Sequence, residues 1–293
     1  MYADDTKIFR SIKSPADSAA LQKDIDSIHQ WSEDWLLKLH PMKCHVLHLG
    51  KKLQPPQYQF SKIESPLDQT KSERDLGVIT DSELSFSEHI TQQINKANKI
   101  MGIIRRTFKN LTPENFRNLY QALVRPHLDY ASSIWSPHQV GLTQELEKVQ
   151  RRATKLVPEL SKLPYPERLR RLKITTLRHR RTRGDLIESY KIFNTYSLEN
   201  TILPTHPNPR SRNHQFQIVK KHCRTTKYLH AFRNRIVHNW NNLPHSVVSA
   251  PSTNAFKNRL DKFLKDNPST LNPESNTTIA SFATTDLAAP LRQ

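Results

Sequence analysis

Carboxylates, glycines and cysteines are all scarce in this sequence of 293 residues, and each scarcity narrows the possible functions. Lysine and arginine number 45 against 27 aspartates and glutamates, which gives a formal net charge of +18. Two cysteines, Cys44 and Cys223, exclude a disulfide framework and suit a reducing compartment. The five glycines form no loop of the kind that cradles a phosphate group.

Long apolar runs are also missing from the sequence. No run approaches the ~20 residues that a membrane-spanning helix needs. The polar residues Thr6, Lys7 and Arg10 interrupt the start of the sequence, so no apolar signal peptide is expected there. These features predict an intracellular protein, nuclear or cytoplasmic, that does not bind membranes.

The positive charge is concentrated between Lys148 and Arg183. This stretch holds 13 basic residues and only two acids, Glu159 and Glu167. A run of charge is usually a solvated helix face, but such faces mix both signs and form i,i+4 pairs. The imbalance predicts binding to RNA and DNA through phosphate contacts. The candidate nucleic-acid-binding residues are Arg151, Arg152, Arg178, Arg180, Arg181 and Arg183.

The first 82 residues combine one helix with short strand-like runs. Apolar residues three to four apart predict a helix over 17–39, which Pro41 ends. Runs with β character predict strands at 6–12, 43–50 and 74–81. The fold class predicted from the whole sequence is therefore mainly α with a small β remnant.

Helical periodicity begins at Glu88 and predicts three successive helices. The first has the apolar stripe Ile90, Ile94, Ala97, Met101, Ile104 and Phe108. The second begins with Thr112 as cap and Pro113 in its first turn, and Pro126 ends it. Its predicted buried side is Phe116, Leu119, Tyr120 and Leu123. The third helix covers 142–157.

The last third of the sequence is less regular. Residues 205–230 are polar and predict a connector or loosely folded segment. Ser252 or Thr253 is the predicted cap of a final helix whose apolar residues are Phe256, Leu260, Phe263 and Leu264. Residues 267–293 have little core-forming content and predict a disordered tail.

Two adjacent carboxylates stand near the start, in the segment "YADDTKIF". Four matching letters alone are weak, but further motifs follow in order: "WSEDWLLKLHPMKCHVLHLG", "RDLGVITDSELSFSEHI", "LYQALVRPHLDYASSIWSP", "LEKVQRRATKLV" and "RIVHNWNNLPHSVVSAPSTNAFKNRLDKFL". Together they cover nearly all of residues 1–266. In this order they resemble the reverse transcriptases of non-LTR retrotransposons, the LINE-type elements, from the catalytic hairpin to the end of the reading frame.

The resemblance implies a domain order. Residues 1–82 would be part of a polymerase palm, 83–140 a helical thumb and 141–204 a basic helical post-thumb region. Residues 205–266 would be the C-terminal region, followed by the tail.

The resemblance also implies site residues for RNA-directed DNA polymerisation. Asp4 and Asp5 match the catalytic, metal-binding acids, with Asp4 the more direct ligand. They would bind Mg²⁺, a hard cation that takes oxygen ligands, in a two-metal mechanism. Lys43 matches a lysine near the pyrophosphate, although an ordinary surface lysine is an equal alternative. The matched primer-grip residues are Leu76, Gly77 and Val78.

Parts of the family pattern are absent from the sequence. The fingers and a further palm aspartate would precede Met1, so the chain is expected to start inside the active site. "KHC" at 221–223 lacks the partners of a four-ligand zinc site. Three hypotheses therefore stay open. The chain is the C-terminal part of a polymerase and inactive alone, or a non-catalytic nucleic-acid-binding module, or a relic without selected function.

Overall fold

Helices dominate the described part of the chain, which comprises residues 6–50, 56–61, 65–194, 202–205, 214 and 216–267 of a computed structural model. This confirms the prediction of a mainly helical chain with few strands. The chain forms two compact units, Met1–His89 and Ile90–Gln293. Whether the palm, thumb and post-thumb limits follow the division given above stays a prediction.

Helix α1 of the first unit runs over Pro15–Asp34. It begins with a capping box, in which the Ser14 side chain accepts from the Asp17 N–H and the Asp17 carboxylate accepts from the Ser14 N–H. Its buried Ile25 packs with Tyr58 and Phe60.

Helix α1 ends five residues earlier than the predicted 39. Leu36 takes a left-handed backbone conformation with φ of 57°. The Leu37 N–H then bonds the Ser32 carbonyl at 2.9 Å, and the Leu36 N–H bonds the Glu33 carbonyl at 3.1 Å. This pair of bonds is a Schellman motif. It satisfies the last carbonyls and turns the chain away before Pro41 is reached.

The strands form two small pairs. Strand β1, His45–Leu47, is parallel to β2, Asp68–Thr70. Strand β3, Ser72–Asp75, is antiparallel to β4, Val78–Asp81. The predicted strand at 43–50 is therefore present but shorter.

Residues 74–81 are a hairpin, so the prediction of a single strand there was wrong. Leu76 and Gly77, with φ of 45° and 82°, form its two-residue turn. Two consecutive positive φ values give the turn a twist that matches antiparallel strands, and the glycine adopts its φ without strain.

The predicted strand at 6–12 was also wrong, because these residues are not in a strand. Phe9 is 87% exposed, and side chains rather than a backbone ladder hold the segment. Lys7 is ion-paired with Asp75, and Arg10 is ion-paired with Asp24 at 2.7 Å.

Asp81 organises the loop between β4 and helix α2, Ser87–Thr107. One carboxylate oxygen accepts from the Glu83 and Ser85 N–H groups, each at 3.0 Å, and the other accepts from the Phe86 N–H at 2.6 Å. Burial acts to raise the pKa of Asp81, but these backbone donors outweigh it and lower the pKa below its ordinary value. Leu84 and Phe86 both take positive φ within this loop.

Helix α2 confirms the first predicted helix. Ile90, Ala97, Met101 and Ile104 are buried along its stripe. Phe108 follows the last helical residue and is exposed, which corrects its assignment to the buried face.

Pro126 does not end the second predicted helix. Helix α3, Pro113–Leu119, begins with the predicted Thr112 cap and continues through a π-helical turn, Tyr120–Val124, into α4, Arg125–Asp129. The Arg125 N–H bonds the Tyr120 carbonyl across this wide turn. Because the turn replaces the regular bonding pattern, the chain accommodates a proline that lacks an N–H.

The π turn also changes which residues are buried. Phe116 and Tyr120 are buried as predicted, but Leu123 is exposed and Val124 and Leu128 lie in the core. The extra residue in the wide turn rotates the following side chains relative to a regular helix.

The remaining helices complete the second unit. Helix α5 is Ser132–Trp135 and α6 is Val140–Ala153, the latter ending four residues before the predicted 157 in a 3₁₀ turn, Thr154–Leu156. Helices α7 and α8 are Tyr165–Leu172 and Leu177–Asn194. The short helices that follow are α9 Thr226–Leu229, α10 Phe232–Arg235, α11 Val237–Asn241 and α12 His245–Val248.

The final helix, α13, Thr253–Asp266, confirms the predicted cap, because the Ser252 side chain accepts from the Ala255 N–H. Its Phe256, Leu260 and Leu264 pack with α8, α11 and α12 around Trp240. Within the predicted connector, Ile218 is buried in the same core, so part of this segment is fixed. The predicted tail, from residue 268 on, lies outside the described residues.

A polar network in the second unit links α6 with α7 and the π turn. The Gln150 side chain accepts from the Tyr120 hydroxyl at 2.7 Å and donates to the Tyr165 hydroxyl at 2.8 Å and the Thr175 carbonyl at 3.0 Å. Glu147 accepts from the Tyr165 hydroxyl and, at 3.1 Å, from the Leu177 N–H that begins α8.

We expect Gln150→Leu to destabilise the chain by about 2–4 kcal/mol, because it leaves the Tyr120 hydroxyl and Thr175 carbonyl without their partner. Chemical denaturation followed by circular dichroism measures the change. Gln144→Leu, on an exposed face of the same helix, is the control and should change stability by under ~0.5 kcal/mol. Equal effects of the two substitutions would contradict the network's structural role.

Asp81→Asn should destabilise the first unit by about 1–3 kcal/mol at pH 7, since an amide nitrogen then faces backbone donors. The folded pKa of Asp81 is lower than the unfolded value of about 3.9. Its contribution is therefore complete above pH ~4 and lost as pH falls further. Denaturant titrations from pH 7 to pH 3 should show the parent and variant converging, whereas exposed Asp68→Asn should match the parent throughout.

Candidate nucleic-acid interface

The structure places only some of the predicted catalytic residues. Asp4 and Asp5 lie outside the described residues. Lys43 ends a short 3₁₀ turn, Pro41–Lys43, and is exposed. Among the residues that the structure describes, no three His, Cys, Asp or Glu side chains are grouped to hold a metal ion.

The predicted primer-grip residues occupy the turn of the β3–β4 hairpin. Leu76 is exposed at the turn, whereas Val78 is buried at the start of β4. These residues therefore present an apolar side chain at a hairpin tip, anchored by the buried strand.

Arg151 and Arg152 are both exposed at the C-terminal end of α6. The Arg151 guanidinium lies over the Tyr165 ring, 4.8 Å from its centroid. Arg152 donates to the Asn98 side chain of α2 at 3.3 Å. Neither arginine is paired with a carboxylate among the described residues, so no carboxylate there offsets their positive charge.

The four arginines of α8 have different environments. Arg178 is exposed. Arg180 donates to Asp129 at 2.8 Å, and Arg183 forms a two-bond pair with Asp261 of α13 at 2.5 and 2.7 Å. These two carboxylates reduce the charge that Arg180 and Arg183 offer to a phosphate.

Arg181 lies inside the helical unit and is only 4% exposed. Burial lowers the pKa of its guanidinium, while Glu147, Asp129 and Asp185 act in the opposite direction. Arg181 therefore interacts with carboxylates inside the unit, and its buried guanidinium cannot contact a ligand at the surface. The i,i+4 spacing of Leu177, Arg181 and Asp185, all three buried, was the signal in the sequence for this position.

The three arginines of α7 also differ in burial and in their hydrogen-bond partners. Buried Arg168 donates to the Arg151 carbonyl at 2.8 Å and the Thr154 hydroxyl at 2.7 Å, which fixes the end of α6. Arg170 and Arg171 share Glu167 and lower its pKa to about 2. One carboxylate for two arginines still leaves a net positive charge there.

Several cations of the 148–183 stretch stay exposed without a carboxylate partner in the described ranges, and five of them are taken as the α6–α8 basic surface. It is defined as Arg151, Arg152, Lys155, Lys173 and Arg178. Lys155 and Lys173 were not singled out in the sequence, because only a structure separates these exposed cations from the paired ones.

No helix in the described part of the chain has the length and apolar character to cross a membrane.

Comparisons with known proteins agree with the motifs. The chain is 25% identical over 177 residues to the "RNA-directed DNA polymerase from mobile element jockey" of Drosophila melanogaster, which covers 58% of this chain and 18% of that protein. The same polymerase from Drosophila funebris is 25% identical over 178 residues, with the same coverage. The "Probable RNA-directed DNA polymerase from transposon BS" of Drosophila melanogaster is 25% identical over 166 residues, covering 54% of this chain and 18% of the relative.

The chain thus spans about a fifth of the length of the curated relatives that it matches. No family model and no solved structure matches it. The three relatives confirm the resemblance to non-LTR, LINE-type reverse transcriptases that the sequence motifs predicted, because the chain is similar to RNA-directed DNA polymerases of mobile elements.

Proposed function

We propose that the chain is a C-terminal part of an RNA-directed DNA polymerase of a non-LTR mobile element, and that it binds nucleic acid through its helical second unit. The similarity to three mobile-element polymerases is the observation that carries this proposal. In it, the first unit is part of the palm, and the helices from α2 onward are the thumb and post-thumb region.

Asp4 and Asp5 are the proposed ligands for Mg²⁺ in the polymerase reaction. In a two-metal site, the bound ions activate the attacking hydroxyl and stabilise the leaving group. Mg²⁺ demands near-ideal octahedral oxygen geometry. Two carboxylates that are adjacent in sequence would therefore need a further carboxylate from elsewhere in a polymerase.

The α6–α8 basic surface is the proposed contact for RNA and DNA backbones. Its five cations have no carboxylate partner in the described ranges, so phosphate groups would release bound counterions without breaking an internal ion pair. Arg180 and Arg183 were predicted to contribute, but they would have to exchange Asp129 and Asp261 for a phosphate. We therefore assign the main contribution to Arg151, Arg152 and Arg178.

A non-catalytic nucleic-acid-binding module is the second candidate function. The basic surface favours it, because this surface is formed by helices of the second unit alone and needs no metal. The two candidates differ in whether Asp4 matters when a complementary polymerase fragment is present.

Replacing Arg151, Arg152 and Lys155 together with alanine should weaken binding to 20-nucleotide RNA and DNA by about tenfold, equally for unrelated sequences. Fluorescence anisotropy at 100 mM salt measures the affinity. The matched control removes three exposed lysines of the first unit, Lys13, Lys23 and Lys38, and should change affinity by less than about twofold. An equal loss in both variants would mean that only net charge matters.

Primer extension on an RNA template tests the polymerase proposal. The 293-residue chain alone should give no product with Mg²⁺ and nucleotides, because positioning of the reactants, worth up to ~7–11 kcal/mol of a barrier, needs the fingers surface. Addition of a separately expressed upstream polymerase fragment should restore extension, and Asp4→Ala should abolish it. Extension by the chain alone that survives Asp4→Ala would contradict the assigned role of Asp4.

A further inference from the structure

A second region of the chain is even poorer in acid than the stretch around α6–α8. Residues 200–260 contain no aspartate or glutamate, but they contain ten lysines and arginines and six histidines. Surface cations here can be neutralised only by carboxylates from other segments or by an external anion. Arg235 shows the first case, because it forms a two-bond pair with Asp185 of α8 at 2.9 Å.

Within this region, one exposed segment is fixed at both ends. At its start, the Ile218 N–H and carbonyl bond the Asn241 side-chain amide at 2.9 and 3.0 Å, and the Val219 N–H donates to the Pro204 carbonyl. At its end, Asn234 donates to the Tyr228 carbonyl at 2.6 Å. The backbone on both sides of this segment is therefore held in place without use of the charged side chains.

Between these anchors, residues 220–224, which we term the basic arm, project into solvent. Lys220, Lys221, His222 and Arg224 are all exposed. Lys220, Lys221 and Arg224 have no ion-pair partner among the described residues. A held backbone lowers the entropy that such side chains lose when they bind.

The chemistry of the arm favours nucleic acid over a membrane. Membrane-surface binding uses large apolar side chains beside the cations. Among the described residues of 202–267, Tyr228 is the one large hydrophobic side chain classed as exposed, and 37% of it is accessible. An exposed tyrosine beside lysine and arginine is instead typical of surfaces on which unpaired bases stack.

We propose that the basic arm is a second nucleic-acid contact, which holds the phosphate backbone of a single strand while Tyr228 offers its ring to a base. The proposal rests on the proposed function only in taking nucleic acid as the ligand. It adds a contact outside the 148–183 stretch, on the C-terminal helices whose core surrounds Trp240.

The test compares two variants with equal loss of charge. The arm variant replaces Lys220, Lys221 and Arg224 with alanine. The control replaces Lys257, Lys262 and Lys265 of α13, which also lie in the second unit. With a 20-nucleotide single-stranded RNA probe, the arm variant should lose about tenfold in affinity. Its slope of log affinity against log salt should fall by about 2, since each phosphate contact on a single strand accounts for about 0.7.

The control variant should keep the parent's slope and lose less than about twofold in affinity. Equal behaviour of the two variants would overturn the proposal. If the arm variant lost affinity for vesicles of anionic phospholipid but not for RNA, the proposal would be overturned, and the arm would instead be a membrane contact. A single-stranded DNA probe shows whether the arm distinguishes the two nucleic acids, and the proposal expects similar losses on both.

Thiol labelling gives an independent readout. Cys223 lies in the arm and Cys44 lies in the other unit, and both are partly accessible. Saturating RNA should slow alkylation of Cys223 at least threefold and leave Cys44 unchanged. Suppose that RNA does not protect Cys223 in the parent, but the variant without Arg151, Arg152 and Lys155 binds RNA more weakly than the parent. The arm proposal then fails and the proposed function stands. If the parent binds no RNA, both fail.

Discussion

The side chain of Gln150 is the interaction on which the second unit most depends. It is buried in α6, and its three hydrogen bonds join the π turn, the first residue of α7 and the loop before α8. Glu147, one turn earlier, adds the N-terminus of α8 through the Leu177 N–H. A buried amide must satisfy its donors and acceptor, so its partners can pack around it in few ways. The positions of the surface cations on α6 and α8 follow from this polar core.

The arginines of this unit then divide between the interior and the surface. Arg168 and Arg181 are buried, and Arg235 is paired with buried Asp185. Arg168 and Arg235 form hydrogen bonds to neighbouring elements, which fix how those elements pack. The remaining cations face solvent with few carboxylates to meet them, because the surrounding sequence supplies so few. An excess of positive charge that the fold does not neutralise internally is available to a polyanion.

Much of the helical architecture could be predicted from periodicity and caps. The stripe of α2, the Thr112 cap and the Ser252 cap are local signals, and the structure confirms them. Errors arose where the local backbone geometry is irregular. A proline normally ends a helix, but a π turn at Tyr120–Val124 precedes Pro126 and the helical chain continues beyond it.

The environment of each arginine could not be predicted from charge alone. Arg178 and Arg181 stand three residues apart in one run, but one is exposed and the other is buried. The acid that pairs with Arg183 is Asp261, 78 residues away. Ion pairs between distant segments leave no local pattern, so the sequence predicted a basic region but not which of its cations stay available. The motifs that resemble mobile-element polymerases could be recognised in the sequence because they follow the family's order along the chain.

Hydrogen–deuterium exchange of the full chain with and without single-stranded RNA tests whether the acid-poor surfaces of the second unit bind nucleic acid. We expect slower exchange on RNA addition at 150–156 and at 219–226, with residues 13–40 of the first unit unchanged. Protection confined to the first unit, or RNA binding without any change in those two segments, would contradict it.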